Sequence, residues 1–373
     1  DMGYGIDVDS NGNSYVAGMF AGTASFGSTS LTSSASKDAF VAKLNSSGSW
    51  QWAVKAGGSG NDYGYGIAAD SSGNAYFTGY FQGTATFGST SLVSSGSTDI
   101  FIAKLSSSGS WQWAVKAGGS SWEDGYGIAV DSSGNAHVTG SFQGTVNFGA
   151  ISKTSSGSSD IFITKLSSSG GWIFTDKAGG TGGDFGKAIA VDSTGNTYVT
   201  GHYTGTAYFG SNSLTSNGSD DTFAAKLSSS GSWSWVVKAG CSSSDKGNAI
   251  AVDSSGNAYL AGHFYGTIYF GSTSLTSSGS YDAFISKLSS SGSWQWAVKV
   301  GGTSGDEADG IAVDSSGNVY VTGFFSSTAA FGSTSLTSSG GIDVFVAKLS
   351  SSGSWSWAVK AGGTSSGDRG YGI

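Results

Sequence analysis

Residues 64–116 carry the pattern that governs the chain. Gly64, Gly66 and Ala68 alternate with Tyr65, Ile67 and Ala69, the two-residue period of a strand. One face of that strand is nearly bare, which marks close approach by another backbone. Asp70-Ser-Ser-Gly73-Asn74 reads as a tight turn: the Asp side chain accepts a bond from backbone two residues on, and Gly supplies the left-handed conformation. A second strand, 75–81, completes a hairpin. The section 82–93 is looser, and Phe87-Gly88 followed by Ser and Thr predicts a small hairpin tucked back onto the blade. In 99–105, Phe101, Ala103 and Leu105 share one face, and Ile100, Ile102 and Lys104 the other. After the turn Ser106-Ser-Ser-Gly109, Trp111, Trp113 and Val115 alternate with Gln112, Ala114 and Lys116 in a fourth strand, 110–116.

The same pattern returns along the chain. Asp-Ser-Ser-Gly-Asn begins at Asp70, Asp131, Asp253 and Asp314, with one-residue variants at Asp9 and Asp192, and successive starts lie 61 residues apart. A fixed period of this size marks a solenoid, a propeller or an array. A four-stranded antiparallel sheet cannot bury both faces alone, whereas radial stacking covers faces and protects edges. A linear β-solenoid competes, but its repeats run to about 20–30 residues. The expectation is an all-β chain, a β-propeller of four-stranded antiparallel blades with a small extra hairpin, forming a single domain over 1–373. Its six repeats span about 1–61, 62–122, 123–183, 184–244, 245–305 and 306–367, and 368–373 start a further repeat. The chain opens and stops on the same Tyr-Gly-Ile segment, as expected of a piece of a longer precursor. A seventh blade in that precursor is the alternative count.

Composition removes one reading. With 63 Gly and no Pro the chain could pass for a linker, yet 12 Trp, 16 Tyr and 21 Phe recur at fixed places. Charged residues make up 11%, well below the usual content of about 25%. A net charge of −8 argues against a nucleic-acid partner, which calls for a basic patch. No apolar run approaches a membrane span. The single cysteine, Cys241, stands where other repeats carry Gly58 and Gly119, so it reads as a drifted small residue. Low charge and abundant Ser and Thr suit a secreted or cell-surface protein.

Several segments together resemble a known family: Phe81-Gln-Gly-Thr84 with Phe87-Gly88, Asp99 to Leu105, Gly109 to Trp113, and Gly127 to Gly140 with His137 at a Tyr position. They are similar to bacterial SBBP-type β-propeller repeats. The resemblance covers essentially the whole chain and implies a propeller fold in a secreted or surface-associated protein. The family name implies seven blades, whereas six repeats are present here.

Five residue sets are candidates for chemistry. An acid precedes the first strand of each repeat, as Asp1, Asp62, Glu123, Asp184, Asp245, Asp306 and Asp368. Asp62, Glu123, Asp184, Asp245 and Asp306 could form a ligand-binding ring, or each could accept backbone N–H bonds in its own loop. The tryptophans come in pairs, Trp111 with Trp113 and Trp233 with Trp235 among them. They offer sugar-stacking surfaces, or they pack one blade on the next. Asp7, Asp9, Asn11 and Asn13 resemble the start of a calcium loop, but only this copy has an acid at the first position and no bidentate Glu follows. Calcium is therefore the only cofactor considered. Lys43 and its equivalents lie five residues after Asp38 and its equivalents, on opposite strand faces, so both need partners on other strands. His202 and His263 share one repeat position and read as surface residues of adjacent blades. No Gly-x-Ser-x-Gly elbow, phosphate loop or Cys/His cluster appears.

The expected function is a non-enzymatic, extracellular or cell-surface β-propeller serving as a structural, adhesive or self-assembling module. Its terminal strands would join copies into a homo-oligomer or filament. The alternative is a multivalent lectin-like propeller that gains affinity for surface glycans through repetition, with binding lost in Trp111→Ala.

Overall fold

The computed structural model describes residues 1–364 and 367–373. Every regular element among them is a β-strand. The chain divides into two compact units, Asp1–Ala178 and Gly179–Ile373.

In the first unit, Tyr63–Ala69 pairs antiparallel with Ala75–Phe81, which pairs with Asp99–Leu105, which pairs with Trp111–Gly118. These are the four expected strands, with the first beginning one residue earlier and the last running from Trp111 two residues further. The same order holds for Met2–Val8, Ser14–Phe20, Asp38–Leu44 and Trp50–Gly58, and from Glu123–Val130 to Trp172–Gly180. In the second unit it holds from Asp184–Val191 to Trp233–Ala239, from Asp245–Val252 to Trp294–Val300, and from Asp306–Val313 to Trp355–Ala361.

The small hairpin forms, Thr84–Phe87 with Thr90–Val93, but it does not tuck onto its own sheet. Thr86 and Ala85 pair with Gly57 and Gly58, at the end of the preceding repeat's fourth strand. Phe148 and Asn147 likewise pair with Ala117 and Gly118, and in the second unit Tyr269 pairs with Gly240 and Ala330 with Gly301. The hairpin thus latches one repeat to the one before it. The reason is an edge: the fourth strand has unpaired N–H and C=O groups, and the next repeat's hairpin satisfies two of them.

Apolar cores lie between successive sheets. Tyr15, Ala17 and Val41 of one repeat pack with Phe77, Phe81 and Phe101 of the next, and Tyr198 and Ala224 pack with Leu260, Phe264 and Phe284. The bare face of the first strand has the expected cause. A Cβ on Gly66 would lie 2.9 Å from the Tyr126 carbonyl oxygen of the neighbouring first strand.

The recurrent turn is a hydrogen-bonded knot. Gly73, at φ +76°, donates to the Asp70 carbonyl. Asp70 accepts from the Ser72 and Asn74 amides on one oxygen and from the Asn74 side chain on the other. The Tyr76 hydroxyl reaches the next repeat and donates to the Gly134 carbonyl at 2.8 Å. Lys104 approaches Asp70 at 3.9 Å over the Tyr76 ring, and Asp99 pairs with Lys116 at 2.6 Å. Both members of the Lys/Asp series therefore find their partners off their own strand. Asp176, an acid where other repeats carry Val, is paired with Lys153 at 3.5 Å, and Lys153 itself stands where other repeats carry Leu.

Candidate functional site: the diverged positions of the repeat

The acids before the first strands are turned into the protein. Asp62, Glu123, Asp184, Asp245 and Asp306 are all buried. Asp62 accepts the Gly58 and Gln82 amides, Asp245 those of Cys241 and Tyr265, and Asp306 those of Gly302 and Ser326. Glu123 accepts from Gly119 and Asp184 from Gly180 and Thr204. Burial pushes the carboxyls of Asp62, Glu123 and Asp306 up to about 7 and that of Asp245 to about 6, against the amides that hold them down.

Trp111, Trp113, Trp233 and Trp235 are half-buried in packing. Trp111 meets the Phe87 ring edge-on at 5.4 Å, and Trp233 meets Phe209 likewise. Trp113 donates its indole N–H to the Ser168 carbonyl of the following repeat at 3.0 Å, and Trp235 does the same to Ser290 at 3.1 Å.

Asp7, Asp9, Asn11 and Asn13 do not converge on a common point. Asp7 accepts the Ala69 amide, while Asp9 is the turn acid, engaged by the Asn11 and Asn13 amides, the Asn13 side chain and Tyr15. Among the described residues no group of three or more His, Cys, Asp or Glu is arranged to hold a metal ion.

A different set of positions comes together, and it is set apart by failing to repeat. One residue after the acid, successive repeats carry Met2, Tyr63, Asp124, Phe185, Lys246 and Glu307. Two residues later they carry Tyr4, Tyr65, Tyr126, Lys187, Asn248 and Asp309. In every repeat the first-strand register shifts across this second residue, as between Gly64 and Gly66 or Gly247 and Ala249. A β-bulge of this kind takes one residue out of the ladder and re-aims its side chain. The first residue faces an equally variable one on the second strand: Tyr63 opposite Tyr80, Phe185 opposite His202, Lys246 opposite His263. The residue before the third strand varies too, as Lys37, Thr98, Ser159, Asp220, Tyr281 and Ile342.

The two units furnish these positions differently. In the first the bulge residues Tyr4, Tyr65 and Tyr126 are all aromatic. Tyr63 stacks on Tyr80 at 4.9 Å, Tyr4 meets Tyr65 at 5.1 Å, and Tyr65 meets Tyr126 at 5.5 Å. Lys37 lies over the Tyr63 ring, and Tyr126 donates to Asp124 at 3.1 Å. Burial and the nearby Asp124 carboxylate push the Tyr65 hydroxyl well above its ordinary range.

In the second unit the bulge residues Lys187, Asn248 and Asp309 are polar or charged. Lys246 approaches Asp220 at 3.7 Å, and Asn248 donates to Glu307 at 2.8 Å. His263 Nδ1 lies 2.9 Å from Glu307 Oε1, at ion-pair distance but off the hydrogen-bond direction of the ring. Burial, with Glu307 close by, pushes Asp309 up to about 8. His202 is not the surface residue expected from the sequence: it is 5% exposed, stacked on Phe185 at 5.0 Å, and its Nδ1 has no partner. Burial, reinforced by Lys187 and Lys246, lowers its pKa to about 3. The signal that identifies all these positions lies in the sequence, as columns where otherwise matching repeats disagree.

Comparison with known proteins agrees with the repeat. A family model described as a β-propeller repeat, SBBP, matches residues 51–80, 112–141, 239–268 and 295–323. Three of the matches run from the fourth strand of one repeat through the turn into the second strand of the next; the one at 239–268 starts at the last residue of a fourth strand and reaches the small hairpin. A 168-residue stretch is 26% identical to the regulatory protein FlaEY of Caulobacter vibrioides, covering 43% of this chain and 18% of that protein. A stretch of 203 residues is 27% identical to an uncharacterised WD repeat-containing protein of Acanthamoeba polyphaga mimivirus, covering 46% of this chain and 15% of that protein. The chain thus spans less than a fifth of either relative. Among solved structures, a protein of unknown function from Bacteroides caccae aligns over 92% of this chain and 93% of that chain, at TM-score 0.44 and 10% identity. A eukaryotic initiation factor aligns over 96% of this chain and 65% of that one, at TM-score 0.38 and 8% identity. No helix among the described residues is long and apolar enough to cross a membrane. The matched segments belong to the strands and turns of successive repeats, and at these four places the chain carries the SBBP β-propeller repeat.

Proposed function

We propose that this protein is a non-enzymatic binding module of the extracellular or cell-surface kind, adhesive in character, with six repeats supplying six blades of one domain. The constant part of each repeat is the scaffold, and the diverged positions carry recognition. The observation behind this reading is the bulge. The residue taken out of the ladder in every repeat varies as Tyr, Lys, Asn and Asp, while the turn acid, the fourth-strand aromatic pair and the strand lysines scarcely change. In repeat architectures a face that varies over a constant core is the usual binding face. Divergence spread over every repeat suits a broad contact surface better than one catalytic constellation.

The lectin-like alternative survives with its residues moved. Trp111, Trp113, Trp233 and Trp235 are spent on packing, so glycan stacking would fall to Tyr63, Tyr80 and the other diverged aromatics. The test is adhesion of protein-coated beads to bacterial envelopes and immobilised polysaccharides. A variant with Tyr63, Tyr65 and Tyr80 all changed to Ser should lose adhesion while keeping the wild-type circular dichroism. Unchanged adhesion in a folded variant would contradict the reading.

A further inference from the structure

We infer that the diverged positions of the second unit form a binding site for an acidic saccharide, a sugar ring carrying a carboxylate. This assignment rests on the recognition reading given above.

The site is a cleft of about 480 Å3, lined by residues from three consecutive repeats. Its own acids are already engaged. Asp220 accepts from Ser244 and Thr204 and lies near Lys246, and Glu307 accepts from Asn248 beside His263. Lys246 keeps donors to spare. An ammonium group has three N–H donors, and Lys246 meets Asp220 only at 3.7 Å, beyond hydrogen-bond length. Lys187, whose ammonium lies over the Phe185 ring at 5.3 Å, is the second cation lining the cleft. His202 lines the same cleft, its Nδ1 buried and without a partner. A buried polar atom left unsatisfied is costly, and in a cleft it points to a ligand that satisfies it.

The groups facing His202 are Lys187, Lys246, Asp220 and His263. Burial, reinforced by the two ammonium groups, holds its ring neutral. A carboxylate placed between the lysines would reverse that field, so His202 would take a proton from solvent and donate Nδ1–H to the ligand. The rest of the cleft suits a polyhydroxyl body rather than a bare anion. Asn248 offers its amide oxygen, and the Glu307 and Asp220 carboxylates have lone pairs left to accept from hydroxyl groups.

The test is calorimetric titration of the full chain with D-glucuronate, D-glucose and acetate at pH 7. Glucuronate should bind, with glucose and acetate each weaker by about ten-fold or more, the cost of one charge-assisted hydrogen bond or of the ring contacts. The binding heat should depend on the ionisation heat of the buffer, with net proton uptake that disappears in His202→Gln. Lys246→Gln and Lys187→Gln should each weaken glucuronate by about ten-fold without affecting glucose. The buffer dependence of the unmodified protein decides the matter even if a variant misfolds. Acetate binding as well as glucuronate, glucose binding as well as glucuronate, or glucuronate binding without proton uptake would overturn the assignment. Indifference to glucuronate, in a protein whose adhesion still depends on the diverged tyrosines, would overturn this assignment alone.

Discussion

Single residues in this chain fall into those that must stay and those free to change. Gly66 belongs to the first kind. Changing it to Val sets a branched side chain against the Tyr126 carbonyl, 2.9 Å from the position of a Cβ, with Ile128 just beyond. The backbone there cannot retreat without parting two first strands. We expect Gly66→Val to cost about 3 kcal/mol or more in urea denaturation, and a change within error would show that the strands are looser than described. Tyr76 is the polar counterpart. Tyr76→Phe removes the bond to the Gly134 carbonyl and should cost about 1 kcal/mol, read by the same method.

The buried acids give a pH signature at this scale. Asp62, Glu123 and Asp306 titrate near 7 in the folded protein and Asp245 near 6, all above their unfolded values. The folded state therefore holds more protons than the unfolded state between about pH 4 and 7. Their contribution is favourable at the low end of that window and is lost as pH rises through it. His137 and His202 act in the opposite sense. Their folded values fall to about 4 and about 3, so they cost stability as pH drops below the unfolded histidine range. The acids outnumber the histidines, so urea midpoints should fall from pH 5 to pH 8. Asp62→Asn should make the fall shallower, and an unchanged slope in that variant would remove Asp62 from the account.

At the scale of elements, the repeat is a set of strands whose partners lie partly in the next repeat. Tyr76, Trp113 and the small hairpin each reach across a repeat boundary. This fixes what a tryptophan substitution does. Trp113→Ala removes a ring packed against Tyr76 and Gly170 and takes from the Ser168 carbonyl its indole donor, leaving only the longer approach of Lys104 at 3.5 Å. We expect a loss of about 3–5 kcal/mol, seen as a lower melting temperature with any bound glycan absent. A variant that melted like wild type would reopen the stacking role of the tryptophans.

Much of this scale was legible from the sequence. Alternation placed four strands per repeat, and Asp-Ser-Ser-Gly-Asn placed the turn. Two features were not. The hairpin's destination depends on which edge is unpaired in the assembled sheets, and no local pattern encodes that. The bulge at Tyr65 hides inside a Gly-Tyr-Gly-Ile run whose simple alternation describes a regular strand equally well. The recognition positions escaped for a related reason: a search for periodicity rewards sameness, and these residues are the ones that differ.

For the whole molecule, division of labour between constant and diverged positions is the central claim. The constant residues include the polar knots, the salt links and the aromatic ties between repeats, so stability is distributed along the chain as in other repeat proteins. The diverged positions touch few of these ties, and their variation from Tyr to Lys, Asn and Asp occurs on one strand conformation. The most direct test is a pair of multi-site variants, each measured for melting temperature and for adhesion to the same polysaccharide surface. One changes Tyr63, Tyr80, Lys187 and Lys246 to Ser; the other changes Tyr76, Tyr198 and Tyr259 to Phe. The account predicts that the first keeps its melting temperature within about 2 °C and loses adhesion, while the second melts several degrees lower, at about 2–4 °C per kcal/mol lost, and still adheres below its transition. A first variant that unfolds, or a second that stays as stable as wild type but no longer adheres, would contradict it.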